Sequence, residues 1–310
     1  MKKTGFVAAL ERDRPLIIDG GLSTQLETQG CDLSNALWSA SLLLDQPGAI
    51  VAATRAFLDA GAECIATASY QASREGFAQR GLSAEEADGL MRLSVELASQ
   101  ARDEFLEANP DTAFTPLIAG SIGPYGAMRH DGSEYWGHYG VSPGVLREFH
   151  AARLPLFDAS DADVLACETI PSILEAQVLA DLLAECETPS WVSFSCADAQ
   201  HISDGTSVEE AAALFRDHPA THAVGLNCTP PQYAEGLVRR FRDAVPDKTI
   251  IAYPNSGETW VAETGEWTGT ASPLDYAQAA RTWFAAGAGA VGGCCRTGPA
   301  HITALVRALC

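Results

Sequence analysis

Short apolar runs alternate with longer amphipathic stretches along this chain. The runs at 15–19, 63–67, 116–121, 163–168, 191–195, 223–227, 249–253 and 290–293 consist almost wholly of apolar or small residues. Strands covered on both faces read this way, because neither side meets water. Between them lie stretches of helical period at 47–60, 84–108, 142–159, 172–185, 207–217, 232–245, 273–286 and 299–309. The first opens on Pro47 and ends before Gly61, the punctuation expected of a helix. Two helix-to-strand joints echo each other, Leu58-Asp59-Ala60-Gly61-Ala62 and Phe284-Ala285-Ala286-Gly287-Ala288. Eight strands alternating with eight helices predict an α/β fold, a single (β/α)8 TIM-type barrel over residues 1–310. A doubly wound open sheet is the alternative. No Gly-x-Gly-x-x-Gly follows the first strand, which weakens a dinucleotide site. The loops after strands one, two, three and seven are long, and long loops in a domain of this kind usually carry function.

Composition narrows the partners. The chain has 310 residues, 47% of them apolar, enough for a substantial core. Forty acidic against twenty basic residues leave a formal charge of −20. That balance argues against nucleic acids and anionic membranes as partners. No run approaches the roughly 18 apolar residues of a membrane span. The basic start at Lys2-Lys3 is followed by an apolar stretch that breaks at Glu11-Arg12-Asp13-Arg14, unlike a secretory leader, so a cytoplasmic location is expected. Nine cysteines, an odd number in a long chain, read as reduced thiols and metal ligands rather than a disulfide framework.

In a barrel of this type, functional residues gather at the C-terminal strand ends. Asp19, Glu168, Asn227 with Cys228, Asn255, and Cys294 with Cys295 all fall there. Three thiolates hold zinc with a fourth position open, at about 2.3 Å from each sulfur. Gly292 and Gly293 would let the chain turn so that both adjacent thiols reach one ion. A buried apolar cysteine pair or a vicinal disulfide is the alternative. A thiol bound at the open position would be deprotonated at neutral pH, a nucleophile made without a general base. Asp19 and Glu168 suit an ammonium clamp, or equally helix caps and loop hydrogen bonds. Gly20-Gly21 would let backbone N–H groups approach a carboxylate. Trp38, Tyr70, Tyr125, Tyr135, Trp136 and Tyr139 lie in the first three long loops, where aromatic faces suit a sulfonium or quaternary ammonium group. The seven histidines have no metal-binding spacing; His222 and His301 read as structural.

These segments together resemble the homocysteine S-methyltransferases, within them the S-methylmethionine-using type of bacteria and plants. The resemblance runs nearly end to end. It rests on Asp19-Gly20-Gly21 with Gln25-Leu26-Glu27, Leu37-Trp38-Ser39, Thr67-Ala68-Ser69-Tyr70-Gln71-Ala72 and Ala119-Gly120-Ser121-Ile122-Gly123-Pro124-Tyr125-Gly126. It continues through Asp131-Gly132-Ser133-Glu134-Tyr135, Cys167-Glu168-Thr169, Gly225-Leu226-Asn227-Cys228, Tyr253-Pro254-Asn255-Ser256-Gly257-Glu258 and Gly292-Gly293-Cys294-Cys295-Arg296-Thr297. The last is specific in company with the Asn-Cys motif. Where close relatives often have Gly-Ala-Met-Ala, this chain has a local departure at Asp19-Gly20-Gly21-Leu22-Ser23.

The resemblance implies zinc-dependent methyl transfer to L-homocysteine, forming methionine. It implies Cys228, Cys294 and Cys295 as zinc ligands, and Asp19 and Glu168 as the acids that hold the homocysteine amino group. S-methylmethionine is the expected donor, with S-adenosylmethionine as a further candidate and betaine as an alternative. Gly21, Trp38, Tyr70, Tyr125, Asn227 and Asn255 complete the expected substrate contacts. The expected assembly is a monomer or homodimer. A non-catalytic zinc- or thiol-binding barrel is the competitor from another class. A homocysteine-binding module of a cobalamin-dependent methionine synthase would need a partner chain.

Overall fold

The eight apolar runs do form strands of one parallel sheet, and that sheet closes on itself. The computed structural model describes residues 4–33, 37–261, 266–268 and 272–310. Its strands are β1 Leu16–Ile17, β2 Cys64–Ala66, β3 Leu117–Ile122, β4 Val164–Ile170, β5 Ser190–Phe194, β6 Thr221–Asn227, β7 Thr249–Tyr253, β8 Thr259–Val261, β9 Glu266–Thr268 and β10 Ala288–Val291. The large sheet runs β1-β10-β7-β6-β5-β4-β3-β2. Its two ends meet where Ile18 pairs with Cys64, the Asp19 amide donating to the Cys64 carbonyl at 2.9 Å and the Glu63 amide to the Ile17 carbonyl at 2.8 Å. Strands β8 and β9 form a separate antiparallel hairpin in the loop after β7.

Strand alternation sorts the residues into two cores. Leu16, Ile18, Cys64, Leu117, Ala119, Val164, Ala166, Trp191, Ala223, Ile251 and Ala290 pack together within the barrel. Their neighbours in sequence, among them Ile17, Ile65, Ile118, Leu165, Val192, Val224, Ile250 and Val291, face the surrounding helices. Because both faces are dry, the runs carry no polar alternation until the last residues of each strand. There the inward positions become Ser121, Glu168, Asn227 and Tyr253, all buried.

Several local outcomes differ from the sequence pattern. A helix at Thr4–Leu10 precedes the first strand and was not evident from periodicity, being barely two turns long. It is held by tertiary contacts: Phe6 is fully buried against Trp191, with ring centroids 5.7 Å apart. Arg12 and Arg14 then both pair with the buried Glu63 carboxylate, at 2.8 Å and 2.6 Å. The helix expected at 207–217 is regular only over Val208–Ala213 and then tightens into three-residue turns. The last strand lies at Ala288–Val291 rather than 290–293. Positive φ falls on Arg296 (65°) rather than on Gly292 or Gly293. Among the described residues, no helix is long and apolar enough to cross a membrane.

Candidate active site

Strand β6 ends on Asn227 and the segment after β10 carries Cys294-Cys295, so two nearby points of the rim deliver three thiols. The Sγ atoms of Cys228, Cys294 and Cys295 all lie within 4.8 Å of one another, Cys228 and Cys295 at 3.5 Å. Three sulfurs on one tetrahedral ion at about 2.3 Å would stand about 3.8 Å apart, so this trio needs little adjustment to accept a metal. The backbone is strained to achieve it: Cys228 has φ 49° and the facing Thr169 has φ 62°. Such left-handed non-glycine residues persist only where the surroundings over-determine them, typically at functional sites. Here Asn227 supplies the determination. Its side-chain oxygen accepts from the Thr169 amide at 2.7 Å, and its Nδ2 donates to Thr169 Oγ1 at 2.7 Å and reaches Cys294 Sγ at 3.8 Å. The thiols share protons unequally. Hydrogen bonds from Cys228 and Cys294, with a further one from Tyr135, hold Cys295 well below the usual thiol range. The same sulfur contacts push Cys228 up. Cys294 is raised as well, by its contact with Cys295 and by burial, so one thiol of the three favours the thiolate form in which cysteine ligates a soft dication.

Two strand-end carboxylates, Glu168 and Asp19, face the same cavity, and Glu134 joins them from a loop. Glu168 at the end of β4 is clamped by Ser121 Oγ and by Tyr253 OH, the latter at 3.0 Å. Tyr253 is itself fixed by Trp191 Nε1 at 3.0 Å and Ser193 Oγ at 2.5 Å. Asp19 accepts from the Ala66 amide at 2.8 Å. Burial raises both acids, Asp19 to about 8 and Glu168 to about 7, despite the hydrogen bonds that favour their charged forms. Carboxyls placed in this way gain from a cation delivered beside them. The described cavity lining includes no lysine or arginine.

Asp19, Gly21, Tyr70, Glu168, Asn227, Cys228, Cys294 and Cys295 all line this one cavity. Gly21 does so for a different reason than expected. Its amide donates to the Thr297 carbonyl at 2.9 Å and so is not free for a substrate carboxylate. A Cβ there would stand 2.6 Å from the Cys294 carbonyl, so glycine is required for the approach of the thiol-bearing turn. Tyr125 does not line the cavity. Its ring packs against Tyr139 and Phe149, at 5.4 and 5.3 Å between centroids, and its amide donates to Glu175. Tyr139 is likewise buried, donating to Glu175 at 2.8 Å. Asn255 also stands outside the described lining, its amide donating to the Thr229 carbonyl at 3.0 Å. Trp38 opens a short 3-10 helix, Trp38–Ser41; its side chain lies outside the described residues. Sequence reasoning passed over Ser121, Ser193 and Tyr253, the polar inner layer below the carboxylates. Their inward parity in β3, β5 and β7 was a usable signal.

A closed barrel with a thiol trio and two buried strand-end acids at its C-terminal mouth has the build of a (β/α)8 enzyme, whose active sites lie at that face. A family model described as homocysteine S-methyltransferase matches residues 16–309, and the chain belongs to that family. It is 47% identical over 290 residues to homocysteine S-methyltransferase YbgG of Bacillus subtilis, covering 93% of this chain and 92% of that one. Among solved structures, it is similar to the homocysteine methyltransferase MmuM from Escherichia coli. The metallated form of that protein matches with a TM-score of 0.86 and 39% identity over 96% of this chain and 97% of that one. The oxidized form matches with a TM-score of 0.87 and 38% identity over 99% of each. The chain is thus a methyltransferase of the homocysteine S-methyltransferase type.

Proposed function

We propose that the chain, acting as one barrel unit, transfers a methyl group from a sulfonium donor, S-methylmethionine or S-adenosylmethionine, to L-homocysteine with zinc as its cofactor. The observation that carries this reading is the convergence of three thiols and the raised carboxyls of Asp19 and Glu168 on one cavity whose described lining holds no lysine or arginine. Cys228, Cys294 and Cys295 are the residues that would hold zinc. Bound there, the ion supplies a lowered pKa to a coordinated substrate thiol. The protein's own groups do the rest. Glu168 and Asp19 receive the homocysteine ammonium, which compensates their burial. Ser121 and Tyr253 keep the Glu168 carboxylate aimed inward. Asn227 holds Thr169 and Cys294 in register with it. Tyr70 and Tyr135 offer aromatic faces to the cationic donor. In the transfer, the donor's S–CH3 bond breaks with its electron pair staying on the donor sulfur. The homocysteine sulfur forms the new bond, so S-methylmethionine and homocysteine give two methionines. The rate advantage lies in thiolate formation and in-line placement. Free thiols of this kind suit a reducing compartment such as the cytoplasm.

The test is metal analysis of the purified protein beside methionine formation from homocysteine with S-methylmethionine, S-adenosylmethionine and betaine in parallel. One zinc per chain with turnover on a sulfonium donor supports the reading. Zinc without turnover on any donor would leave a thiol-binding barrel, and preference for betaine would replace the donor class. Cys295→Ser retaining both full zinc content and full turnover would remove the three-thiolate site.

A further inference from the structure

One carboxylate oxygen in the cavity has no partner among the described residues. Glu134 lines it on the side of Tyr70 and Tyr135, and its Oε2 is buried with no hydrogen-bond donor within reach. Burial raises its pKa. Asp19 and Glu168 differ from it in this respect, since each already accepts from groups of the barrel. A buried acceptor left unmade costs about 1–3 kcal/mol, so its persistence calls for a ligand that satisfies it.

The backbone that carries Glu134 is firmly placed. It sits in a 3-10 turn, Ser133–Tyr135. Its carbonyl accepts from Ser195 Oγ at 3.3 Å, and the Gly137 amide closes the turn onto the Ser133 carbonyl at 2.9 Å. Both flanks of the loop are tied to one buried acid. Glu175 accepts from the Tyr125 amide at 2.6 Å on one side and from Tyr139 OH at 2.8 Å on the other. The next residue, Tyr135, stands 3.6 Å from Cys228 Sγ through its hydroxyl, so the turn adjoins the thiols directly.

We propose that Glu134 receives the α-ammonium of the methyl donor and makes the enzyme selective for sulfonium donors that carry an amino group. The inference rests on the sulfonium-donor reading above. A sulfonium centre has no hydrogen to donate, and the aromatic faces of Tyr70 and Tyr135 suit it better than a bare acceptor does. An ammonium has three N–H donors and satisfies a buried carboxylate oxygen by a charge-assisted hydrogen bond. Asp19 and Glu168 then serve the acceptor's ammonium and Glu134 the donor's, so two amino acids with like-charged ends occupy one cavity without competing for one acid.

The experiment compares wild type and Glu134→Gln, zinc-loaded, at saturating homocysteine. The donors are S-methylmethionine and dimethylsulfonioacetate, a sulfonium without an amino group, the latter read as KM or as Ki against S-methylmethionine. The expected result is a KM for S-methylmethionine raised tenfold or more in the variant. The KM for homocysteine and the zinc content should stay within twofold, and the affinity for the amino-free sulfonium should be unchanged. An unchanged KM for S-methylmethionine overturns the proposal, as does an equal loss with both donors, which would make Glu134 a general electrostatic or structural group. Failure of the wild type to use any sulfonium donor sinks the donor reading first, and the Glu134 assignment with it.

Discussion

In the proposed reaction, Glu168 is the residue on which the acceptor half of the site would turn. It is buried, yet its carboxylate is held by Ser121 and Tyr253 rather than by a cation. Glu168→Gln keeps the shape and most of these contacts but removes the charge. We expect the KM for homocysteine to rise at least tenfold, about 1.4 kcal/mol or more, with zinc content unchanged, as read by steady-state kinetics and metal analysis. Proton uptake gives an independent check. In the metal-free protein Asp19 and Glu168 titrate near 8 and 7 against ordinary values of 3.8 and 4.5. The native state therefore binds more protons than the unfolded chain between about pH 4 and 8. These two groups make stability fall as pH rises through that window. An ammonium ligand stabilises the charged forms, so binding releases protons and tightens as pH rises toward 8. Calorimetric titration of homocysteine at pH 7 in two buffers of different ionisation heat should detect this release; a buffer-independent heat would contradict it.

At the scale of elements, the site depends on how closely β6 and β7 approach. A Cβ on Gly225 would stand 1.9 Å from the Ile251 carbonyl oxygen, which is backbone and has nowhere to go. Gly225→Ala is expected to destabilise the barrel by more than the usual 1–3 kcal/mol of an overpacked core. It also shifts Asn227 and Cys228 two and three residues further on, so zinc should be lost from the fraction that folds. Thermal melting and metal content of the soluble protein check both. The short helix Thr4–Leu10 closes the opposite end of the barrel through Phe6. Phe6→Ala should lower stability by about 3–5 kcal/mol in a denaturant titration, and any effect on kcat per folded molecule should pass through Trp191, on which Phe6 packs and which fixes Tyr253. A fall in kcat without a fall in stability would show that the plug acts on the site.

For the molecule as a whole, one ion would join β6 to the segment after β10, two strands that are not neighbours in the sheet order. Removal of zinc with a thiol-compatible chelator should abolish methyl transfer and lower the melting temperature, and stoichiometric zinc should restore both. Magnesium, a hard cation with oxygen preference, should restore neither. Activity that survives exhaustive chelation would remove the cofactor assignment. The charge of −20 spread over the chain keeps the field negative, which suits approach of cationic donors and disfavours polyanions.

The order of strands and helices, the barrel, and the gathering of Asp19, Glu168, Asn227, Cys228, Cys294 and Cys295 at one rim were all legible in the sequence. Each follows from local periodicity and from the rule that strand C-termini share a face. Other features depended on closure of the barrel. The Ser121 and Tyr253 clamp on Glu168 joins β3 and β7 to β4. The binding of the Gly21 amide to Thr297 joins residues 276 positions apart. The turning of Tyr125 toward Phe149 and Glu175, the plug at Phe6 and the unpartnered oxygen of Glu134 are of the same kind. Sequence period determines which way a side chain points from its own strand. It carries no information on which distant group stands opposite, and that pairing decides whether a polar residue is a structural partner or a binding group.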